Sequence, residues 1–134
     1  MLASMANIEK FCAAGVFDPP AYTQGIKVSQ VQTILFLSGQ VAYTPEGGVA
    51  CCGDFKGQAR GAHEALRALV ESQGGTMSSI VKITTFITDM RYRADLAPIR
   101  EEFFGTKAPA TTLVAISALA HPDWMIEVEA IAVI

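Results

Sequence analysis

Trp124 to Ile134 reads Trp-Met-Ile-Glu-Val-Glu-Ala-Ile-Ala-Val-Ile, and its alternation decides the fold. Successive side chains of a strand point to opposite faces. Ile126, Val128, Ala130, Ala132 and Ile134 therefore share one face, and all are apolar. Met125, Glu127, Glu129, Ile131 and Val133 share the other. Thr111 to Leu119 reads as the strand before it, with Thr112, Val114, Ile116 and Ala118 alternating with Thr111, Leu113, Ala115, Ser117 and Leu119. A sheet built from these strands is apolar enough on both faces to need cover on both.

Working outward, Ile8 to Ala13 and Tyr22 to Val28 read as short strands on either side of a Pro19-Pro20 loop, and Thr33 to Ser38 reads as a buried strand ending at Gly39. Tyr43 to Gly53 is loop-like. Asp54 is a good N-cap for a helix running to about Ser72. Phe55, Ala59, Ala62, Leu66, Leu69 and Val70 recur on one face of it, and Gly74-Gly75 supplies the stop. Ser79 to Thr88 is a strand rich in β-branched residues. A second helix is expected with Asp95 as its cap, Pro98 in its first turn, and Leu96, Ile99, Phe103 and Phe104 as its apolar face. The order is that of an α+β fold in which right-handed crossovers place both helices on one face of the sheet. Two helices cover one face only. The other is expected to meet further copies of the chain in closed cyclic symmetry.

The 134 residues suit a single domain spanning 1–134. A net charge of −3 with ten scattered basic residues points away from nucleic acid. No apolar run approaches the roughly 18–20 residues of a membrane span. Met1 to Asn7 lacks the pattern of a secretory signal, and Met5 offers an alternative start. Cys12 and the adjacent Cys51 and Cys52 read as reduced thiols of a cytoplasmic protein. They form no catalytic pattern with His63 or His121, and no metal site is expected. His63, mid-helix among alanines, is expected at the surface or at an interface.

A set of ordered stretches carries a family resemblance: Tyr22-Thr23-Gln24-Gly25, Leu37-Ser38-Gly39-Gln40, Gln58-Ala59-Arg60, Val81 to Asp89, Glu102-Phe103-Phe104, Pro109-Ala110, and Ile126 to Ala132. In order and spacing this resembles the RidA/YjgF family of reactive intermediate deaminases. The resemblance implies a chorismate-mutase-like mixed sheet with two helices on one face. It also implies a homotrimer with clefts between subunits, and hydrolysis of 2-imino acids or their enamine tautomers without a cofactor. By the same resemblance Glu127 is the carboxylate that directs water, Tyr22 the pocket tyrosine, Gly39, after Ser38, the glycine whose backbone faces substrate, and Leu113 the position of a substrate-facing backbone amide.

The sequence departs from the family where it matters for substrate. The arginine that grips the substrate carboxylate follows Pro-Ala in the family; here Thr111-Thr112 follows Pro109-Ala110. A threonine hydroxyl offers one neutral hydrogen bond in place of a charged fork. The asparagine often found early in the second helix falls on Ala97. The expected substrate is thus a neutral or larger, ring-bearing enamine or imine held near Thr111, Thr112 and Trp124, unless Arg91 or Arg93 replaces the anchor. Glu127 and Glu129 lie about 7 Å apart on one strand face; Glu129 suits an ion pair across a subunit boundary. Trp124, after His121-Pro122-Asp123, has two readings: a ring stacked on substrate, or a strand-edge tryptophan filling an interface. The alternative to an enzyme is a trimer that binds a small metabolite or a protein partner without turnover.

Overall fold

The computed structural model describes residues 5–134; the first four residues of the Met1 to Asn7 stretch lie outside them. Strands β1 (Asn7–Phe11), β2 (Tyr22–Thr23), β3 (Gly25–Ser29) and β4 (Ile34–Gln40) precede helix α1 (Phe55–Ser72). Strand β5 (Ile80–Ile87), helix α2 (Arg93–Phe104), β6 (Ala108–Ala115) and β7 (Ile126–Val133) follow. The main sheet runs β2-β6-β5-β7-β4, with β2, β6 and β5 parallel and β7 antiparallel to both its neighbours. Strands β1 and β3 form a separate antiparallel ribbon. Among the described residues no helix is long and apolar enough to cross a membrane.

Helix α1 begins where the sequence places it. The Asp54 carboxylate accepts from the Gly57 N–H at 3.0 Å, which satisfies one of the donors a helix start leaves open. Its end is set by Gly74 at a φ of 86°, a left-handed conformation that suits glycine. Phe55, Ala59, Ala62, Leu66 and Val70 are buried, while Leu69 turns out 38% exposed at the rim of the expected face. They pack on Ile83, Ile87, Ile126, Val128, Ala130 and Ala132 of the sheet. Each fully buried Ile or Leu of this layer contributes roughly 1.5–3 kcal/mol. The apolar face of β7 read from the sequence is therefore the face under the helices.

Five expectations need correction. Thr33 to Ser38 is not a buried strand ending at Gly39: β4 runs through Gly39 to Gln40, and Ile34 and Phe36 stand exposed on the face away from the helices. Tyr22 to Val28 is not one strand: the chain leaves the main sheet at Gln24 and enters the ribbon at Gly25, across which the Phe11 ring lies. Strand β6 starts at Ala108 and ends at Ala115, so it is shifted toward the N-terminus. Pro109 is accommodated because the β2 register shifts there, pairing Tyr22 with Ala108 and Thr23 with Ala110 and leaving Pro109 opposite no one. Helix α2 starts at Arg93; Asp95 lies in its first turn rather than at its cap, and Pro98 lies inside it. The cap position of α2 is Tyr92, which makes no side-chain capping bond; the Asp89 carboxylate opens the short Met90–Tyr92 turn ahead of it, accepting from the Arg91 N–H at 2.9 Å. His63, expected at the surface or at an interface, is fully buried inside the chain, with its ring stacked on Phe103 at 5.2 Å.

Two buried polar groups shape this core. Gln58 reaches the loop before β7: its amide donates to the Asp123 carbonyl at 2.8 Å and its carbonyl accepts from the Met125 N–H at 2.8 Å. His63 donates through Nδ1 to the Ala59 carbonyl at 2.7 Å, which leaves Nε2 a buried acceptor without a partner. Burial, more than anything else, holds the His63 pKa below its ordinary value, and the Arg100 charge adds to the effect.

Gln58→Met keeps the volume but orphans both backbone groups, so it is expected to cost about 2–4 kcal/mol in urea unfolding; a loss under about 1 kcal/mol would mean that water replaces the amide. The unfolded imidazole titrates near 6.5 and the folded one lower, so the unfolded chain takes up its proton first as pH falls. Stability from neutral His63 is complete above about pH 6.5 and declines below it, toward the depressed folded value. The urea midpoint is expected to fall from pH 7.5 to 5.5 more steeply in the native protein than in His63→Phe; equal slopes would assign the titration to another group.

Candidate functional site

All the sequence-predicted site residues but Trp124 fall into two groups, on opposite faces of the main sheet. The first group is on the open face. Glu127 pairs with Phe86 across β7 and β5, between the buried Ile126 and Val128, and so points away from the helices. Strand β4 carries an extra residue here: Leu37 pairs with Ala130 and Gln40 with Val128, so the ladder bulges at Ser38-Gly39. The bulge turns Gly39 toward Glu127. A Cβ built on Gly39 would meet Cδ of Glu127 at 2.6 Å and Oε2 at 2.7 Å. The glycine is thus the seat of the carboxylate. Ser38 opens onto a neighbouring cavity of about 360 Å³ with Lys82, Thr84 and Glu129. Thr112 is on this face as well, accepting from Lys82 Nζ at 2.8 Å. Around these polar groups the face is bare and apolar, with Ile34 53% and Phe36 77% exposed.

The second group lies at the other edge of the sheet, on the helix side. Tyr22, Thr111 and Leu113 line a cavity of about 670 Å³ between α2 and the β2–β6 edge. Thr111 donates its hydroxyl to the Pro109 carbonyl at 2.8 Å. Ala97 lines the same cavity, as do Arg91, Arg93 and Arg100. Arg91 is committed to Asp89, its Nε donating to the two carboxylate oxygens at 3.0 and 2.9 Å, a contact that raises the arginine pKa and lowers that of the carboxyl. Trp124 belongs to neither group. Its Nε1 donates to the Ala42 carbonyl at 3.3 Å, and its ring meets Tyr43 edge-on at 5.3 Å.

Arg100 is the residue that the sequence reading missed. Arg93, Ala97 and Arg100 recur at helical spacing and share one face. Starting the helix at Asp95 hid that pattern. Among the described residues no group of three His, Cys, Asp or Glu side chains could hold a metal ion, and Cys12, Cys51 and Cys52 are free thiols.

Residues 18–134 match the profile of the family described as endoribonuclease L-PSP, the RidA/YjgF family. The chain belongs to this family. A RutC family protein of Pyrococcus horikoshii is 35% identical over 111 residues, covering 83% of this chain and 85% of that protein. Among solved structures, the Rid family protein YyfB from Yersinia pestis, of unknown function, superposes with a TM-score of 0.84. It is 22% identical, covering 96% of this chain and 99% of its own, and its likeness speaks for the fold alone. TdcF of E. coli, solved with bound serine, has a TM-score of 0.69 and 32% identity over 90% of this chain and 92% of its own. The mixed sheet with two helices on one face is thus the RidA-like α+β fold.

A methyl group on Gly39 would collide with the far end of a flexible side chain rather than with backbone. Gly39→Ala is therefore expected to fold within about 1 kcal/mol of wild type, with the Glu127 carboxylate displaced by about 1 Å or more in a crystal structure. A carboxylate left in place would show that the strand gives way instead.

Proposed function

We propose that this chain is a hydrolase of imines or enamines whose sites form between copies of itself in a homotrimer. One observation carries the reading: the carboxylate and its glycine seat lie on one sheet face, and the tyrosine cavity lies on the other. No small molecule can touch both groups within one chain. A second copy laid on the bare Ile34 and Phe36 face would cover side chains that a single chain leaves in water and could bring its own Tyr22, Thr111 and Leu113 to Glu127, Ser38 and Gly39 of the first. Trp124, engaged with Ala42 and Tyr43, would shape the rim of such a cleft rather than hold substrate at its centre.

In that cleft Glu127 would accept a proton from water as the oxygen attacks the imine carbon. That proton passes to nitrogen to give a carbinolamine; the same carboxylate then carries the hydroxyl proton to nitrogen, and ammonia leaves as the carbon–nitrogen bond breaks and the carbonyl forms. Seating the carboxylate against Gly39 fixes its position before substrate arrives, which is how orientation lowers such a barrier. No cofactor is needed for these steps. The serine held by the E. coli relative has the size and the amino-acid chemistry of such a substrate. The family description as an endoribonuclease finds no support in a chain of net charge −3.

The test is release of ammonia and 2-oxopropanoate from 2-iminopropanoate freshly made by an amino-acid oxidase, with semicarbazide trapping what remains. Turnover above the spontaneous rate is expected, falling by about 10²–10⁴ in Glu127→Gln, and light scattering is expected to give a trimer mass. Undiminished turnover in Glu127→Gln removes the carboxylate from the mechanism, and a monomer removes the shared cleft. Tight binding of small metabolites with no turnover of any imine or enamine would instead make the protein a binding trimer.

A further inference from the structure

The cavity between α2 and the β2–β6 edge has an uneven charge. Its lining includes Arg91, Arg93 and Arg100 and, among the described residues, no carboxylate. Asp89 occupies Arg91. Arg100 is half-buried, and among the described residues neither it nor Arg93 has an acidic partner within ion-pair distance. Arg60, one helix away, makes the contrast plain. It holds Glu102 through two parallel hydrogen bonds of 3.2 and 3.0 Å at the surface, where water could have served it equally well. A half-buried guanidinium has more need of a partner than an exposed one, because it has given up water and received nothing in return. Burial first, and the nearby Arg93 charge second, pull the Arg100 pKa below its ordinary value. An anion in the cavity would reverse both effects.

Position matters as much as charge. Arg100 shares its cavity with Thr111, and Thr111 stands where the resembling proteins place their carboxylate-gripping arginine. The small Ala97 lies one turn before Arg100 on the same helix face and keeps the approach to it open. We propose that this cavity is an anion-binding site in which Arg100, supported by Arg93, holds the carboxylate of a 2-oxo or 2-imino acid from the helix side, in place of an arginine at position 111. The expectation of a neutral substrate is then replaced by that of an acidic one. The identity of the ligand rests on the hydrolase reading; the presence of an anion site does not.

The test is calorimetric titration of the intact protein with 2-oxobutanoate and with its uncharged amide. The acid is expected to bind at least tenfold more tightly than the amide. Arg100→Gln is expected to abolish that preference, Arg100→Lys to keep part of it, and Arg93→Gln to reduce it about twofold to threefold. Ala97→Glu places a carboxylate one turn from Arg100 and is expected to weaken acid binding at least tenfold; it carries the test should Arg100→Gln not fold. Equal binding of acid and amide by the native protein, or by neither, overturns the proposal. So does an unchanged preference in Arg100→Gln or Ala97→Glu. A change of oligomer mass in Arg100→Gln also overturns it, because the guanidinium would then be serving another copy of the chain. Acid binding without hydrolysis would keep the anion site and remove the hydrolase, whereas hydrolysis of neutral enamines without acid preference would do the reverse.

Discussion

Strand β7 is hydrogen-bonded along both edges, to β5 on one side and β4 on the other, and its register governs the rest of the structure. A slip of one residue would drive Glu127 and Glu129 under the helices and expel Ile126, Val128 and Ala130 to the far face. Burying two carboxylates without partners would cost far more than any compensating contact could return. The register is pinned at the strand's beginning by Gln58, whose carboxamide takes the place of a neighbouring strand for Asp123 and Met125. A helix side chain thereby fixes where the carboxylate of the candidate site will point. The stretch Gln58-Ala59-Arg60 has its effect at a distance from its own helix.

The sheet then divides the chemistry. The β4–β7 edge presents an acceptor seated on bare backbone, and the β2–β6 edge presents a cavity with surplus positive charge. The Glu127 carboxylate and the arginine guanidinium groups, which would neutralise one another as ion pairs, lie on opposite sides of the sheet. The sheet's exposed apolar face is the means by which two copies would bring them back together around a ligand.

Much of this was legible in the sequence. Period-two alternation gave both faces of β7, and period-3.6 spacing with Asp54 and Gly74 gave α1 within its observed bounds, because those signals are local and repeated. What was hidden depended on contacts distant in sequence. His63 looks like a surface residue among alanines until Phe103 and Phe104 arrive from the other helix. The start of α2 was misread because Asp95 is a good cap by type, while the helix begins at Arg93 without a side-chain cap, behind a short turn that Asp89 opens. That error concealed Arg100 as a neighbour of Arg93. The seat of Glu127 on Gly39 was equally invisible, since it depends on an extra residue that no periodicity announces.

That extra residue makes β4 a worse strand than it could be. Deleting it would restore an unbroken ladder from Leu37 to Gln40, and selection for rigidity alone would favour the deletion. The chain keeps the defect, and with it a local loss of pairing where a carboxylate comes to rest on exposed peptide. Efforts to make this protein more heat-resistant by regularising its sheet would therefore meet a conflict at this one place, where a better ladder would take away the glycine seat of the carboxylate.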